Sequence, residues 1–259
     1  MKKGYASILI TNYNKSFYIK KTIKSCLNQN FQKKEILVFD DCSSDNSLEI
    51  LETFKNDVIL IKNKKKNFQS GPLNQIHGLI KLFKKSKGEI IFFLDGDDHY
   101  KKNKISSIFK IFNKNQNIDF LQDIPYLENK KIFKTLKIKK HNISIWPQFY
   151  PTSCISIRRK FMLDFLNYIK KGNFENLEID ARLSMFAFLK KKFIVLNKSF
   201  TIYNYDKSGI TSGYRKYSIP WWKKRNEAFS YLFILHKKLR LKFFYSLDFY
   251  FTRFINFFI

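Results

Sequence analysis

Short apolar runs and stretches of helical spacing alternate through the first hundred residues. Ala6–Thr11 (ASILIT) reads as a buried strand rich in β-branched residues, and Lys15–Asn28 carries Ile19, Ile23 and Leu27 at helical spacing. Glu35–Phe39 (EILVF) predicts a second strand, and Ser44–Phe54 a helix opened by Ser and Asp capping residues with Leu48 and Leu51 on one face. Asp57–Ile61 (DVILI) is a third strand. Gly71-Pro72 opens a helix carrying Leu73, Ile76, Leu79 and Ile80, and Glu89–Leu94 (EIIFFL) is a fourth strand. Continuously apolar strands separated by helices imply an α/β fold, a mainly parallel sheet covered on both faces.

The pattern loosens afterwards. A helix is expected over about 102–114, strands over Ile118–Gln122, Lys131–Ile138 and Ser153–Ile157, and helices over Arg159–Ile169 and Ile179–Leu189. Strands Phe193–Leu196 and Phe200–Tyr205 follow, and beyond Pro220 the chain is helical and strongly aromatic. With no repeat and no Gly/Pro/Ser-rich linker, the simplest organisation is one domain over 1–219 and a helical, basic extension over 220–259.

The 259 residues can bury a sizeable core, and 44% hydrophobic content excludes a disordered polyelectrolyte. Apolar runs fall far short of the roughly 18–20 residues that cross a bilayer. The basic N-terminus has too short an apolar run for a secretory signal. Cys26, Cys42 and Cys154 form no CxxC pair, which suits reduced thiols and a cytoplasmic setting, and four scattered histidines make no zinc cage. The formal charge is +28, yet only seven of the 49 basic residues are Arg. That excess reads either as a Lys-coated solvated surface or as a match to an anionic partner such as a membrane face, a polyanion or phosphates.

Against this basic background, six of the 21 acidic residues sit in two short segments, Asp40-Asp41 with Asp45, and Asp95-Gly96-Asp97-Asp98. Each follows a predicted strand, as does Thr11-Asn12-Tyr13-Asn14, and ligands of such sheets gather beyond the strands' carboxyl ends. Either acidic segment alone would pass for a turn or a helix cap. Together, crowded carboxylates repel one another and raise their pKa values, which a divalent cation relieves, and hard oxygen ligands suit Mg²⁺ or Mn²⁺.

The series ILITNYN, EILVFDDCSSDNS, Asn67-Phe68-Gln69-Ser70-Gly71 with Asn74, and GEIIFFLDGDD resembles the family 2 glycosyltransferases of GT-A fold over roughly residues 5–100. The resemblance implies a GT-A type, Rossmann-like sheet whose 1–100 half binds nucleotide and whose 101–219 half binds acceptor. It assigns Thr11, Tyr13 and Asn74 to nucleotide binding, Asp41 or Asp40 to a base N–H, and Asp95 to the ribose or donor sugar. Asp97 would bind the metal and Asp98 support its shell. An inverting transfer from a nucleotide sugar, UDP-linked by family precedent, to a glycan or lipid-linked acceptor is implied.

The family's Glu-Asp pair at a helix start is altered here. Aligning Leu183 places Asp180 as the general base, with Ile179 in the Glu position and Glu178 one residue out of phase. The family's later His position holds Asp206 or Tyr205, leaving Lys207, Thr211 or Arg215 for phosphate. Trp146, Trp221 and Trp222 are candidates for stacking on sugar or for packing. The tail reads as a helix pair packed on the domain or as an interfacial helix on the cytoplasmic face of a membrane. Rival readings are a sugar-phosphate nucleotidyltransferase, disfavoured by the absence of Gly from Ile10–Lys15, and a non-enzymatic polyanion binder. No nucleic-acid motif is present, so no nucleic-acid partner is expected.

Overall fold

The computed structural model describes residues 1–128, 132–133, 150–169, 174–204, 209 and 213–259. The first half runs β1 (Lys2–Asn12), α1 (Ser16–Leu27), β2 (Lys34–Asp40), α2 (Ser47–Glu52), β3 (Ile59–Lys62), α3 (Gly71–Lys85) and β4 (Gly88–Asp95). Next come β5 (His99–Tyr100), α4 (Lys104–Lys114), β6 (Phe120–Gln122), β7 (Pro125–Leu127) and β8 (Ile132–Phe133). Then follow β9 (Ile155–Arg158), α5 (Arg159–Leu166), α6 (Ile179–Lys190), β10 (Phe193–Val195), β11 (Thr201–Tyr203), α7 (Ile219–Lys238) and α8 (Leu247–Phe257).

Seven strands form the main sheet in the order β10-β6-β9-β4-β1-β2-β3. β1 to β4 are parallel, while β9 runs antiparallel between β4 and β6. This is the mainly parallel α/β sheet expected from continuous apolar strands: Ile90 to Leu94 and Leu9 to Ile10 are fully enclosed because helices cover both faces. One face packs Leu79, Phe83, Phe161, Leu183 and Phe186, the other Ile19, Ile23, Ile105 and Phe112. A smaller sheet, β5-β11-β7-β8, closes over the carboxyl end of β4. Strands β5 and β7 were not expected, since two or three residues carry no readable period. Of the expected strand Lys131–Ile138, only Ile132–Phe133 falls among the described residues.

The tail divides in two. α7 starts at Ser218, whose hydroxyl accepts from the Trp221 N–H, and it buries Ala228, Tyr231, Leu232 and Leu235 in the same core as α3 and α6. α8 lies against α7 through Phe249 on Phe229 and Phe251 on Trp222. Its other side faces outward.

Candidate active site

Strand register brings the polar loops together. Thr11 lies opposite Asp95 on β4, and Asn12 opposite Asp40 on β2, so the loops after β1, β2 and β4 share one edge. The Gly96 N–H donates to the Thr11 carbonyl at 2.9 Å. A Cβ on Gly96 would stand 2.6 Å from Asn12 Oδ1, so glycine is what lets the two strand ends touch.

The three aspartates after β4 face three directions. Asp95 Oδ1 accepts from Thr11 Oγ1 at 3.2 Å and from Gln75 Nε2 at 2.8 Å. Burial, reinforced by the Asp97 charge, pushes its pKa up to about 7. Asp97 Oδ2 meets Lys15 Nζ at 2.8 Å. Asp98 turns inward: its two oxygens accept from Ser153 Oγ at 2.5 Å and from the Asn204 N–H at 2.9 Å. Burial, then Asp97 and Asp95, holds the Asp98 carboxyl well above the usual range. Ser153 Oγ also accepts from the Asp95 N–H at 3.0 Å, and Asn204 Nδ2 donates to the Asp97 carbonyl at 2.6 Å. Beneath them Lys104, fully buried, donates to Asp123 (2.7 Å), the Ser153 carbonyl (2.8 Å) and Thr201 Oγ1 (2.6 Å).

On the β2 side, Asp40 Oδ1 accepts from Asn12 Nδ2 at 2.8 Å and from Ser43 Oγ at 2.6 Å, while Asp41 Oδ1 accepts from Asn63 Nδ2 at 2.8 Å. Cys42 between Asp41 and Ser43 has φ 59°, and Asn14 has φ 51°, a left-handed backbone that is uncommon for cysteine and easier for asparagine. Tyr13 stands exposed, with the Lys66 ammonium 3.6 Å from its ring centroid. Asn74 is spent on its own loop: it accepts from the Phe68 N–H at 3.0 Å and donates to the Phe68 carbonyl at 2.9 Å.

The opposite wall comes from α6. Glu178 occupies the position just before it without a capping hydrogen bond from its side chain, which is buried and ion-paired to Lys224 of α7. Asp180 lies in the first turn. Burial, then the Glu178 charge, pushes its pKa up to about 7, while Lys224 opposes the shift. Asp95 adds to that rise, so the carboxylates of the two halves sense each other. The Tyr203 hydroxyl is raised by burial and then by the charges of Asp98, Asp95, Asp97 and Asp180.

Thr11, Asp40, Asp41, Asp95 and Asp97 thus lie at one edge of the sheet, with Tyr13 exposed beside them and Asn74 bonded within its own loop. Arg215 is exposed, and Trp221 and Trp222 pack on each other in the first turn of α7. Trp146, Tyr205, Asp206, Lys207 and Thr211 lie outside the described residues. Lys15, Gln75, Asn63, Ser153 and Asn204 were missed. Each meets the aspartates through long-range contact, and none sits in a local motif that announces it.

Among the described residues no three His, Cys, Asp or Glu side chains gather as a complete metal cage. The donor set instead suits a hard cation that takes a carboxylate from the protein and fills its shell with phosphate oxygens and water. Asp97 could supply that carboxylate once its ion pair to the Lys15 ammonium is given up.

A doubly covered sheet with carboxylates at the carboxyl ends of adjacent strands places its candidate site where ligands of open α/β sheets gather. Residues 7–178 match the family described as glycosyl transferase family 2, and the chain belongs to that family. It is 27% identical over 222 residues to the Campylobacter jejuni GalNAc(5)-diNAcBac-PP-undecaprenol beta-1,3-glucosyltransferase, covering 81% of this chain and 68% of that one. It is 31% identical over 101 residues to the Staphylococcus aureus poly(ribitol-phosphate) beta-N-acetylglucosaminyltransferase TarS, covering 38% of this chain and only 17% of that protein. The crystal structure of TarS residues 1–349 with UDP-GlcNAc superposes with a TM-score of 0.66 at 18% identity, over 88% of this chain and 66% of that one. The Pyrobaculum calidifontis mannosyltransferase PcManGT, in complex with GDP-Man and Mn²⁺, gives 0.61 at 14% identity, over 92% and 65%. These likenesses establish the GT-A fold.

Proposed function

We propose that the protein transfers a sugar from a UDP-linked donor to a hydroxyl of a glycan or lipid-linked acceptor, with inversion, in cell-surface polysaccharide or glycolipid synthesis. The carrying observation is the strand register that sets Thr11 opposite Asp95 and Asn12 opposite Asp40, with Asp97 beside them, in a chain of this family; the Asp95 charge also contributes to the raised pKa of Asp180 on α6. UDP is favoured by the UDP-GlcNAc complex of TarS, and a lipid-linked acceptor by the name of the Campylobacter relative. Cys26, Cys42 and Cys154 as free thiols suit work on the cytoplasmic face.

Asp97 would hold a Mn²⁺ or Mg²⁺ ion, which when bound would supply charge neutralisation for the departing diphosphate. Asp98 acts from behind, its hydrogen bonds to Ser153 and Asn204 fixing the loop that presents Asp97. Thr11 and Gln75 orient Asp95 toward the ribose or donor sugar. Asp41 accepts from a base N–H, and Tyr13 lies against the base, with Lys66 displaced from its ring. Asp180 takes the proton of the acceptor hydroxyl as that oxygen attacks the anomeric carbon opposite the leaving phosphate. A base that titrates near neutral pH is matched to that task. Glu178 is held by Lys224 and serves to position α6.

The test is product formation from UDP-, GDP- and dTDP-sugars on undecaprenyl-diphosphate-linked acceptors with Mn²⁺. Transfer from a UDP-sugar, giving the opposite anomer to that of the donor, is expected. Transfer from GDP- or dTDP-sugars alone, or retention of configuration, would overturn the reading.

A further inference from the structure

α8 has its two faces reversed from those of a helix designed for water. The side turned to the protein presents Phe249, Thr252 and Asn256. Thr252 is fully buried, and Asn256 Nδ2 donates to the Trp222 carbonyl at 3.1 Å. The outward side carries Leu247, Tyr250, Phe254 and Phe257, spaced by three and four residues in one stripe that Phe258 continues just past the helix, with Leu247 81% and Phe257 84% exposed. The preceding segment continues it with exposed Leu241, Phe244 and Tyr245. A single soluble monomer rarely leaves so many contiguous aromatic side chains uncovered.

The surroundings select the occupant. Between Ala228 and Ile259 there are five Lys or Arg residues and one acid, Asp248, which is paired to Arg225. Lys237, Lys238, Arg240, Lys242 and Arg253 are all exposed. A second copy would bring another +28 against this face, whereas an anionic lipid surface is attracted by it. No helix among the described residues is long and apolar enough to cross a membrane. The 11 residues of α8 make a rod of about 16 Å, which can lie in the headgroup boundary but cannot traverse roughly 30 Å of hydrocarbon.

We infer that the outer face of α8 docks on an anionic bilayer and holds the acceptor side of the site at the lipid surface. Its second part rests on the lipid-linked acceptor proposed above. Consecutive residues of α7 make the mechanical link: Arg225 pairs with Asp248 of α8, and Lys224 pairs with Glu178 at the start of the helix that carries Asp180. A docked α8 therefore fixes the helix of the candidate base relative to the membrane plane.

The test is vesicle flotation of the full chain without nucleotide, using phosphatidylglycerol and phosphatidylcholine vesicles. The wild-type chain should float with phosphatidylglycerol, less so as salt rises, and poorly with phosphatidylcholine. Tyr250→Ser/Phe254→Ser/Phe257→Ser should weaken that partition at least about 100-fold through lost apolar burial. Arg240→Glu/Lys242→Glu leaves the aromatic face intact and should weaken it through charge alone. UDP binding with Mn²⁺, measured without vesicles, should be unchanged in both variants. That separate readout tells a failed docking surface from a failed donor site and confirms folding. Wild-type binding that is absent, insensitive to both variants, or equal on the two lipids would overturn the inference. So would a wild-type dimer in sedimentation that the triple variant dissolves, which would make a second copy the occupant.

Discussion

On the proposed donor side, Asp95 and Asp40 are placed by backbone pairing between neighbouring parallel strands, hydrogen bonds from Thr11, Gln75, Asn12 and Ser43 hold their carboxylates, and Lys15 pairs with Asp97. On the proposed acceptor side, Asp180 stands on the first turn of one helix, its side chain accepting from the neighbouring Ala181 N–H and its basicity tuned by the Glu178–Lys224 pair beside it. The contrast teaches how the two tasks differ. Holding a diphosphate and a cation demands several groups at fixed mutual distances, which a sheet edge supplies. Taking one proton demands one carboxylate of suitable basicity, which burial beside a like charge supplies.

The comparison is broken most deeply at Asp180. Asp180→Asn should lower turnover about 10²–10⁴-fold while leaving UDP affinity nearly intact, and Glu178→Gln should cost turnover much less. Steady-state rates beside calorimetric UDP titration check both. If Glu178→Gln proves the more damaging, the base has been placed two residues too late. Next in size is the floor of the donor side. Lys104→Met strands Asp123 in a buried pocket and should destabilise the fold by about 3–5 kcal/mol, read from denaturant unfolding. Tyr13→Ala should then weaken UDP binding by roughly tenfold, the worth of one aromatic ring against a base.

The smallest effects follow pH. Turnover should fall about tenfold per unit below an apparent pKa near 7, because the base must be ionised and Asp180 is raised to about 7. For stability the sign is opposite. A carboxyl raised on folding binds its proton more tightly in the native chain than in the unfolded one. Its contribution therefore falls as pH climbs from the ordinary carboxylate value through about 7. Asp180→Asn should thus gain thermal stability over the wild type as pH rises from about 5 to 8, by on the order of 1 kcal/mol, while losing activity.

The same contrast explains what the sequence made legible. The donor side could be read because its chemistry is local: each carboxylate follows a strand that a run such as EIIFFL announces, and the parallel α/β order then sets the loops side by side. Their partners could not be read. Ser153 reaches Asp95 and Asp98 across 58 and 55 positions of sequence, and Asn204 reaches Asp98 across 106. On the acceptor side Leu183 set the register of Asp180, but the commitment of Glu178 to Lys224 depends on α7 packing against α6, which no spacing in the chain foretells. In the tail, composition flagged an aromatic, basic segment. Only packing could separate α7, which enters the core through Tyr231 and Leu235, from α8, which turns Phe254 and Phe257 outward.

The central claim, that Asp97 anchors a cation shared with the donor's diphosphate, is tested most directly by calorimetric titration of UDP into the wild type and into Asp97→Asn, each with Mn²⁺ and with EDTA. UDP affinity in the wild type should fall strongly when EDTA replaces Mn²⁺, and Asp97→Asn should bind UDP weakly and equally in both conditions. An Asp97→Asn variant that keeps the wild-type Mn²⁺ dependence would contradict it and remove Asp97 from the site.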